Sequence, residues 1–431
     1  MLGPSPCAMY FSKTYLTFLL KKIMNKINKT VFVGVSPKQR VLATRQAGGN
    51  KPVVFVGVSG GVDSSVAVAL LKEAKPKNFK KFFGRPTPKG FRGYDVVGVF
   101  IRTWTPDFIK CTWKSERRDA MRVCAHLGIP FLECDAEEEY KKKVADYMIE
   151  EYKKGRTPNP DVMCNREVKF GVFWNFAKAH GADYIATGHY ARNDYQLPIT
   201  NYQLKKGNNE SKDQSYFLWT LTQNDLSHTL FPVGHLKKTE VRKLAQKYKI
   251  PVAEKKDSQG VCFLGPLDMK DFLKHYIKSE KGDTVDEKGN IIGTHDGAVF
   301  FTLGERHSFT ITKKSEKEEP LYIIKKDIEK NTITVSAKQN SPLPTLPLIR
   351  GGQGCGLNII NTNWILGTPE KDKVYQAQIR YHGELLNCRI SGSPTSRNSV
   401  KIIFEKNVLV DSGQSVVLYD NDVCLGGGIA R

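Results

Sequence analysis

The chain has 431 residues, of which 40% are hydrophobic and 26% charged; that is enough apolar material for a sizeable core, and at roughly 150 residues per domain the length suggests about three domains. Lys and Arg outnumber Asp and Glu by 66 to 44, a formal net charge of +22, which points to a polyanionic partner such as nucleic acid or an anionic membrane surface. No apolar run approaches the ~20 residues that cross a bilayer, and the nine scattered cysteines contain no CxxC pair, so neither a structural zinc site nor a disulfide framework is expected and a reducing compartment fits.

In chain order, residues 1–50 are basic and free of acids and read as a disordered N-terminal extension, with a transit peptide as the other reading. The hexapeptide Val-Phe-Val-Gly-Val-Ser occurs twice, at 31–36 and at 54–59, and only the second copy continues into a glycine turn and a helix. Residues 51–260 alternate strand and helix. Strands are expected at Val53 to Val58, Asp95 to Ile101, Phe131 to Cys134 and Ala182 to Thr187. Helices are expected from Val66, at Ser115 to Leu127, at Glu137 to Lys154 and at Phe170 to His180. This alternation predicts an α/β domain with a parallel sheet, its ligand crevice outside the carboxyl ends of the strands. Residues 75–94 and 194–204 break the rhythm and read as surface loop insertions. Residues 261–341 form a smaller central domain, 342–356 a Pro- then Gly-rich linker, and 357–431 carry short β-rich segments that fit a C-terminal β-barrel.

Ser59-Gly-Gly-Val-Asp-Ser64, between a buried strand and a helix, is the strongest local signal. Glycines allow the backbone to approach a phosphate, and a helix N-terminus offers free N–H donors and positive potential. No Lys follows the glycines, so the loop is not a Walker A motif. Asp63 would repel a phosphate on its own; Mg²⁺ bridged to a pyrophosphate would resolve that.

Arg156-Thr-Pro-Asn-Pro-Asp-Val-Met-Cys164-Asn165 is the second signal: two prolines predict a rigid loop presenting Asp161 and Cys164 together. Cys262 follows in a glycine-flanked stretch after Lys255 and Lys256, where nearby cations would raise the thiolate fraction. The remaining cysteines of the folded region, Cys111, Cys124, Cys134, Cys388 and Cys424, read as buried and inert.

With these motifs in place the chain resembles the tRNA-specific 2-thiouridylase family (MnmA-like) of the PP-loop ATP pyrophosphatases. The shared strings are Gly57-Val-Ser-Gly-Gly-Val-Asp-Ser64, Gly98-Val-Phe100 with Trp104, Gly155-Arg-Thr-Pro-Asn-Pro-Asp161 with Cys164-Asn165, Ala186-Thr-Gly-His-Tyr-Ala-Arg192, Lys212-Asp-Gln-Ser-Tyr-Phe-Leu218, Leu230-Phe-Pro232 and the Cys262 stretch. They run in order over about residues 52–431 and are weakest after Gly304. Ile101 stands where the family usually has Met, and Gly304-Glu-Arg306 replaces Gly-Gln-Arg.

The resemblance implies ATP-dependent adenylation of O2 of the wobble uridine (U34) of tRNA, followed by attack of a persulfide sulfur at C2 with loss of AMP. It implies Cys164 as nucleophile and Cys262 as persulfide carrier, able to pair as a disulfide, with Asp161 as base or base-positioning group. ATP contacts would fall on Gly57, Val58, Ser59, Gly60, Gly61, Val62, Asp63, Ser64, Ile101 and Gly188. The target base would meet Asn159, Pro160 and Asp161; other tRNA contacts would come from His189, Lys212, Asp213, Gln214, Arg380, Tyr381 and Gln414. A persulfide donor protein, Mg²⁺, a monomeric state and no membrane association go with it. The Asp257-Ser-Gln-Gly-Val-Cys262 string looks more bacterial than mitochondrial, so a cytoplasmic location is expected over the matrix. The rival readings are an amide-forming PP-loop ligase of the GMP- or NAD-synthetase kind, which needs neither cysteine, a non-catalytic tRNA-binding protein on the same fold, and a membrane-surface protein using the basic N-terminus, which rests on charge alone.

Overall fold

The computed structural model describes residues 51–83, 87, 89–109, 112–195, 201–257, 268–312, 319–337, 355–391 and 399–431. The N-terminal extension with the first hexapeptide copy, Cys111, the Cys262 segment and all but the end of the Pro/Gly-rich linker lie outside these residues.

The first sheet contains β1 (Val53–Gly57), β2 (Asp95–Arg102), β3 (Phe131–Asp135) and β4 (Tyr184–Ala186). The chain then forms a hairpin, β5 (Ala191–Tyr195) and β6 (Tyr202–Lys206), before returning to the sheet as β7 (Thr229–Leu230). The sheet order is β3-β2-β1-β4-β7 and every pairing is parallel. Val53, Val54, Phe55 and Val56 are all buried, as a strand covered on both faces requires. The Val62–Lys72 helix packs into the same core through Val66, Leu70 and Leu71. From β1 the sheet grows one way through β2 and β3 and the other way through β4 and β7. The order therefore reverses beside β1, and an open parallel sheet places its ligand crevice at the carboxyl ends of the strands flanking such a reversal.

The second sheet, β8 (Gly282–Val285), β9 (Ile291–His295), β10 (Thr310–Ile311), β11 (Tyr322–Asp327) and β12 (Thr332–Ser336), runs in the order β10-β9-β8-β12-β11. The third is a barrel of β13 (Cys355–Trp364), β14 (Tyr375–Gln378), β15 (Leu385–Ser391), β16 (Val400–Phe404), β17 (Ser415–Asp420) and β18 (Val423–Ala430), closed by the β13–β18 pairing. On β15, Leu386, Cys388 and Ile390 are buried and the residues between them exposed, the two-residue period of a strand with one face in a core.

Two expectations need correction. The insertion at 194–204 is no loose decoration: β5 and β6 pair along its flanks, and Val423 of β18 pairs with Lys205, which attaches the hairpin to the barrel. Arg192 clamps the same contact through Asp422 at 2.5 Å. The insertion at 75–94 includes a helix, Pro76–Phe83, whose Phe79 packs edge-on against Phe91, with ring centroids 4.6 Å apart. Its buried aromatics Phe79, Phe91 and Tyr94 belong to the core of the parallel sheet.

Candidate functional site

The turn after β1 is shaped by Gly60. Its φ is +72°, and a Cβ there would stand 2.6 Å from the Glu116 carbonyl oxygen and 2.9 Å from Asp119 Cβ, so the turn and the neighbouring Trp113–Leu127 helix can meet only at a glycine. Gly61 is the N-cap of the helix, which begins at Val62 rather than at Val66. The Ser65 hydroxyl donates to the Gly61 carbonyl at 2.6 Å and is buried, so it braces the turn and is not a surface donor. Ser64 Oγ donates to the same carbonyl and accepts from the Ser59 N–H at 3.3 Å.

Gly188, just beyond β4, lies against this helix start: a Cβ there would be 2.7 Å from the Ser64 nitrogen. Ile101 reaches the loop from β2, with its Cδ1 3.7 Å from the Cβ position of Gly57. Residues proposed from sequence at three separated points thus converge at the order reversal between β1 and β4.

Asp63 differs from expectation. Its carboxylate accepts from Lys238 Nζ at 2.7 and 2.9 Å and from the Tyr190 hydroxyl at 2.7 Å. Its charge is compensated by an ammonium group, where Mg²⁺ was expected. Among the described residues no group of three or more His, Cys, Asp or Glu is arranged to hold a metal ion. An ion arriving with a nucleotide would in any case draw most of its ligands from phosphate oxygens and water.

Lys238 belongs to a larger charge cluster that the sequence motifs do not reveal. Its Nζ also bonds Asp257 at 2.8 Å, and Asp257 accepts from Arg242 at 2.7 Å and Lys212 at 2.9 Å. Burial works against ionisation of Asp257, but the hydrogen bonds from Lys238 and Lys212 outweigh it and hold the carboxyl down at about 2. Lys238 and Arg242 are four residues apart on the Lys238–Lys247 helix and so share one face. That spacing is the available signal, together with the position of Asp257 at the head of the Cys262 string. Lys255, expected to act on the Cys262 thiol, is committed elsewhere: its Nζ bonds Asp119 at 2.8 Å and the Gly60 carbonyl at 3.1 Å.

The Asn159–Cys164 segment also needs correction, because it is helical and not a loop. Asn159 is the N-cap, its Oδ1 accepting from the Val162 N–H at 3.2 Å, and Pro160 occupies the first turn of the Pro160–Met163 helix, where its missing N–H costs nothing. Cys164 then opens a wide π-helix, Cys164–Val172, with i→i+5 spacing, a form that recurs at functional sites. Asn159, Pro160 and Asp161 are half-buried and Cys164 is fully buried. Asn165 is buried beside it, its Nδ2 donating to the Phe217 carbonyl at 3.1 Å while its Oδ1 has no hydrogen-bond partner.

The barrel faces this helix start. The Tyr381 ring lies 4.3 Å from that of Phe217, and burial with the charges of Asp213 and Asp161 pushes its phenol up to about 12. Burial raises the Tyr216 phenol, with an Asn159 hydrogen bond and the Arg380 charge opposing, and Tyr216 also donates to the Ser415 carbonyl at 3.0 Å. The Arg380 guanidinium lies against Gly304 of the central domain. Asn159, Tyr216 and Tyr381 are thus linked by a hydrogen bond and a ring contact, with Asp161 and Arg380 close enough for their charges to act on the two phenols.

The other proposed tRNA contacts are already engaged. His189 is buried, its Nδ1 2.7 Å from Thr187 Oγ1, and burial with the Lys169 charge lowers its pKa; the ring is neutral and packed against Phe170 and Phe231. Asp213 accepts from the Gly207 and Ser215 amides and from the Ser215 hydroxyl. Gln214 Oε1 accepts from the Tyr190 N–H, and Gln414 Oε1 accepts from the Asp411 N–H. Cys124, Cys134, Cys388 and Cys424 are buried thiols pushed up to about 12 by burial, as an inert packing role requires. Cys262 lies outside the described residues.

Comparison with known proteins agrees with this three-part layout. Residues 90–266 match the family described as tRNA methyl transferase HUP domain, 270–337 the tRNA methyl transferase PRC-barrel domain and 355–430 the aminomethyltransferase beta-barrel domain. The tRNA-specific 2-thiouridylase MnmA of Halalkalibacterium halodurans is 41% identical over 378 residues, covering 87% of this chain and 93% of that protein. The Bacillus subtilis MnmA is 38% identical over 378 residues, covering 87% and 94%. Among solved structures, the U34-tRNA thiolase NcsA from Methanococcus maripaludis matches 56% of this chain and 70% of its own at 17% identity, with a TM-score of 0.32, a likeness too slight to bear on function. On the strength of the curated relatives and the three domain matches, the chain belongs to the tRNA-specific 2-thiouridylase family.

Proposed function

We propose that the chain is a tRNA-uridine 2-sulfurtransferase that uses ATP to replace O2 of the wobble uridine by sulfur. ATP lies at the order reversal of the parallel sheet, its phosphates on the Ser59–Ser64 turn and its adenine side near Ile101 and Gly57. O2 of the uridine attacks the α-phosphorus and pyrophosphate leaves, which converts a poor leaving oxygen into AMP. A donor protein loads Cys262 with a persulfide. Its terminal sulfur attacks C2, AMP departs, and the Cys164 thiolate attacks the Cys262 sulfur. The new C2=S bond is freed as a Cys164–Cys262 disulfide forms, and an external thiol reductant resets the pair. Asp161, at the start of the Pro160–Met163 helix, takes or positions the proton of the base. Cys164 has no exposed surface, so its attack requires the surroundings to open when substrate binds.

The observation that carries this reading is the packing of Tyr381 of the barrel against Tyr216 and Phe217, beside the Asn159 cap and Asn165, in a chain whose curated relatives bear the name 2-thiouridylase over 87% of its length. The excess of basic residues suits a tRNA-sized polyanion. The bacterial origin of those relatives favours a cytoplasmic setting, and we expect a monomer. The test is mass analysis of tRNA nucleosides after incubation with ATP, Mg²⁺ and a persulfide source. Wild type is expected to yield 2-thiouridine and AMP, while Cys164→Ser and Cys262→Ser yield no 2-thiouridine. An ammonia-consuming ligase would tolerate both substitutions, and that result would refute the proposal.

A further inference from the structure

Asp411 lies in the turn before β17, with only 2% of its surface exposed. Its Oδ2 collects three donors from distant parts of the chain. Lys326 Nζ, from β11 of the central domain, is at 2.6 Å; Thr157 Oγ1 is at 2.8 Å; the Leu303 amide is at 3.2 Å. The Lys326 side chain is itself only 8% exposed and also donates to the Phe301 carbonyl at 3.0 Å. The Thr157 amide donates to the Ser412 carbonyl at 2.7 Å, and its hydroxyl lies 3.2 Å from Thr302 Oγ1. Asp411 closes its own turn through Gln414, whose Oε1 accepts from the Asp411 N–H at 3.1 Å.

A buried ion pair of this kind is a weak source of net stability, since desolvation offsets most of the attraction, whereas removing one partner leaves a buried charge exposed to no compensating group. What it supplies is geometry. Thr157 precedes the Asn159 cap by two residues, and the helix that begins there carries Asp161 and leads to Cys164. Held by its amide and its hydroxyl to one turn of the barrel, Thr157 has little freedom to shift, and the helix start inherits its position.

We propose that Asp411 is a positioning residue: through Thr157 and Lys326 it sets the Asn159–Cys164 segment against the barrel and the central domain, so that these two domains fix where the target base meets Asp161. This rests on the reading of that segment given under Proposed function. Asp411 itself touches neither base nor nucleotide.

The test compares full-length wild type with Asp411→Ala, Thr157→Val and Thr157→Ser, the valine removing the hydroxyl and its bonds to Asp411 and Thr302 while leaving the amide bond, and the serine restoring the hydroxyl. For Asp411→Ala and Thr157→Val, kcat for tRNA thiolation is expected to fall about tenfold or more, with KM for ATP changed by less than about twofold and Thr157→Ser near wild type. Hydrogen exchange gives a readout independent of activity: amides 159–163, without that of Pro160, should exchange at least about tenfold faster in both variants, with β1 unchanged. Should Asp411→Ala fail to fold, Thr157→Val decides alone. Wild-type kcat and exchange in Thr157→Val overturn the proposal, as does faster exchange spread equally over β1. If wild type makes no 2-thiouridine while exchange rises only in the 159–163 segment, the functional reading fails and the positioning claim stands.

Discussion

Gly188→Ala adds one methyl group against the first turn of the helix that we propose carries the nucleotide phosphates. The new Cβ would lie 2.7 Å from the Ser64 nitrogen, 2.9 Å from the Asp63 carbonyl carbon and 3.0 Å from Ser64 Cα. All three are backbone atoms of the first helical turn, so no side chain can swing aside, and ordinary contact needs a separation of about 3.4 Å or more. The helix start must therefore retreat by several tenths of an ångström. It is not free to do so cheaply, because Asp63 is tied to Lys238 and Tyr190, and the Gly60 carbonyl to Lys255. Overpacking of this kind costs about 1–3 kcal/mol, which corresponds to a loss of roughly 5- to 150-fold in ATP affinity if the strain is released only in the nucleotide-free protein. At Gly57 the same methyl meets Phe173 at 3.6 Å, Ile101 at 3.7 Å and the Ala186 carbonyl at 3.9 Å, so Gly57→Ala should lose less than about fivefold. Isothermal titration with ATP on the two variants, with melting temperatures as a control, makes the comparison. Equal affinities for Gly188→Ala and wild type, or a larger loss at Gly57, would refute the placement of the phosphates on this turn.

The depressed pKa of Asp257 carries a pH signature of known sign. The carboxylate stabilises the fold above its unfolded pKa near 3.8 and loses that contribution as pH falls through about 2; after allowance for partial exposure this amounts to about 1 kcal/mol. Urea titrations of wild type and Asp257→Asn should differ by that amount at pH 6 and converge as pH falls from 4 towards 2; a difference that stays constant would be contrary to it. Binding of tRNA should weaken steeply with salt, with a log–log slope of several units measured by filter binding, and a flat response would speak against phosphate contacts as the main source of affinity.

The parts of the fold legible in the sequence are those with local causes. β1 announces itself as an unbroken apolar run closed by two glycines, and Gly60 is there because a turn needs φ of +72° against Glu116. Barrel strands β14, β15 and β16 alternate buried and more exposed residues along their length. The hairpin β5–β6 is not legible, because Val423, its barrel partner, is more than 200 residues away. The Asn159–Cys164 helix hides behind its prolines: Pro160 reads as a breaker unless Asn159 is recognised as a cap. Lys238, Arg242 and Asp257 gain their importance because Lys238 joins Asp257, itself held by Arg242, to Asp63 in three dimensions; the four-residue spacing of Lys238 and Arg242 shows a shared helix face but not these distant partners. The motif residues His189, Asp213 and Gln214 show the converse case, since a shared string marks their positions while their side chains are occupied in holding the chain together.

The hairpin has a consequence for how the molecule is made. Strands β5 and β6 leave the ribosome long before β18 exists to pair with Lys205, and the same β18 also seals the barrel against β13. Until that strand is synthesised, an exposed strand edge projects from the nascent parallel-sheet domain, the kind of edge that invites pairing with other chains. Premature termination ahead of Val423 would leave two open edges at once, so shortened products should be cleared or aggregate instead of persisting as partly active enzyme.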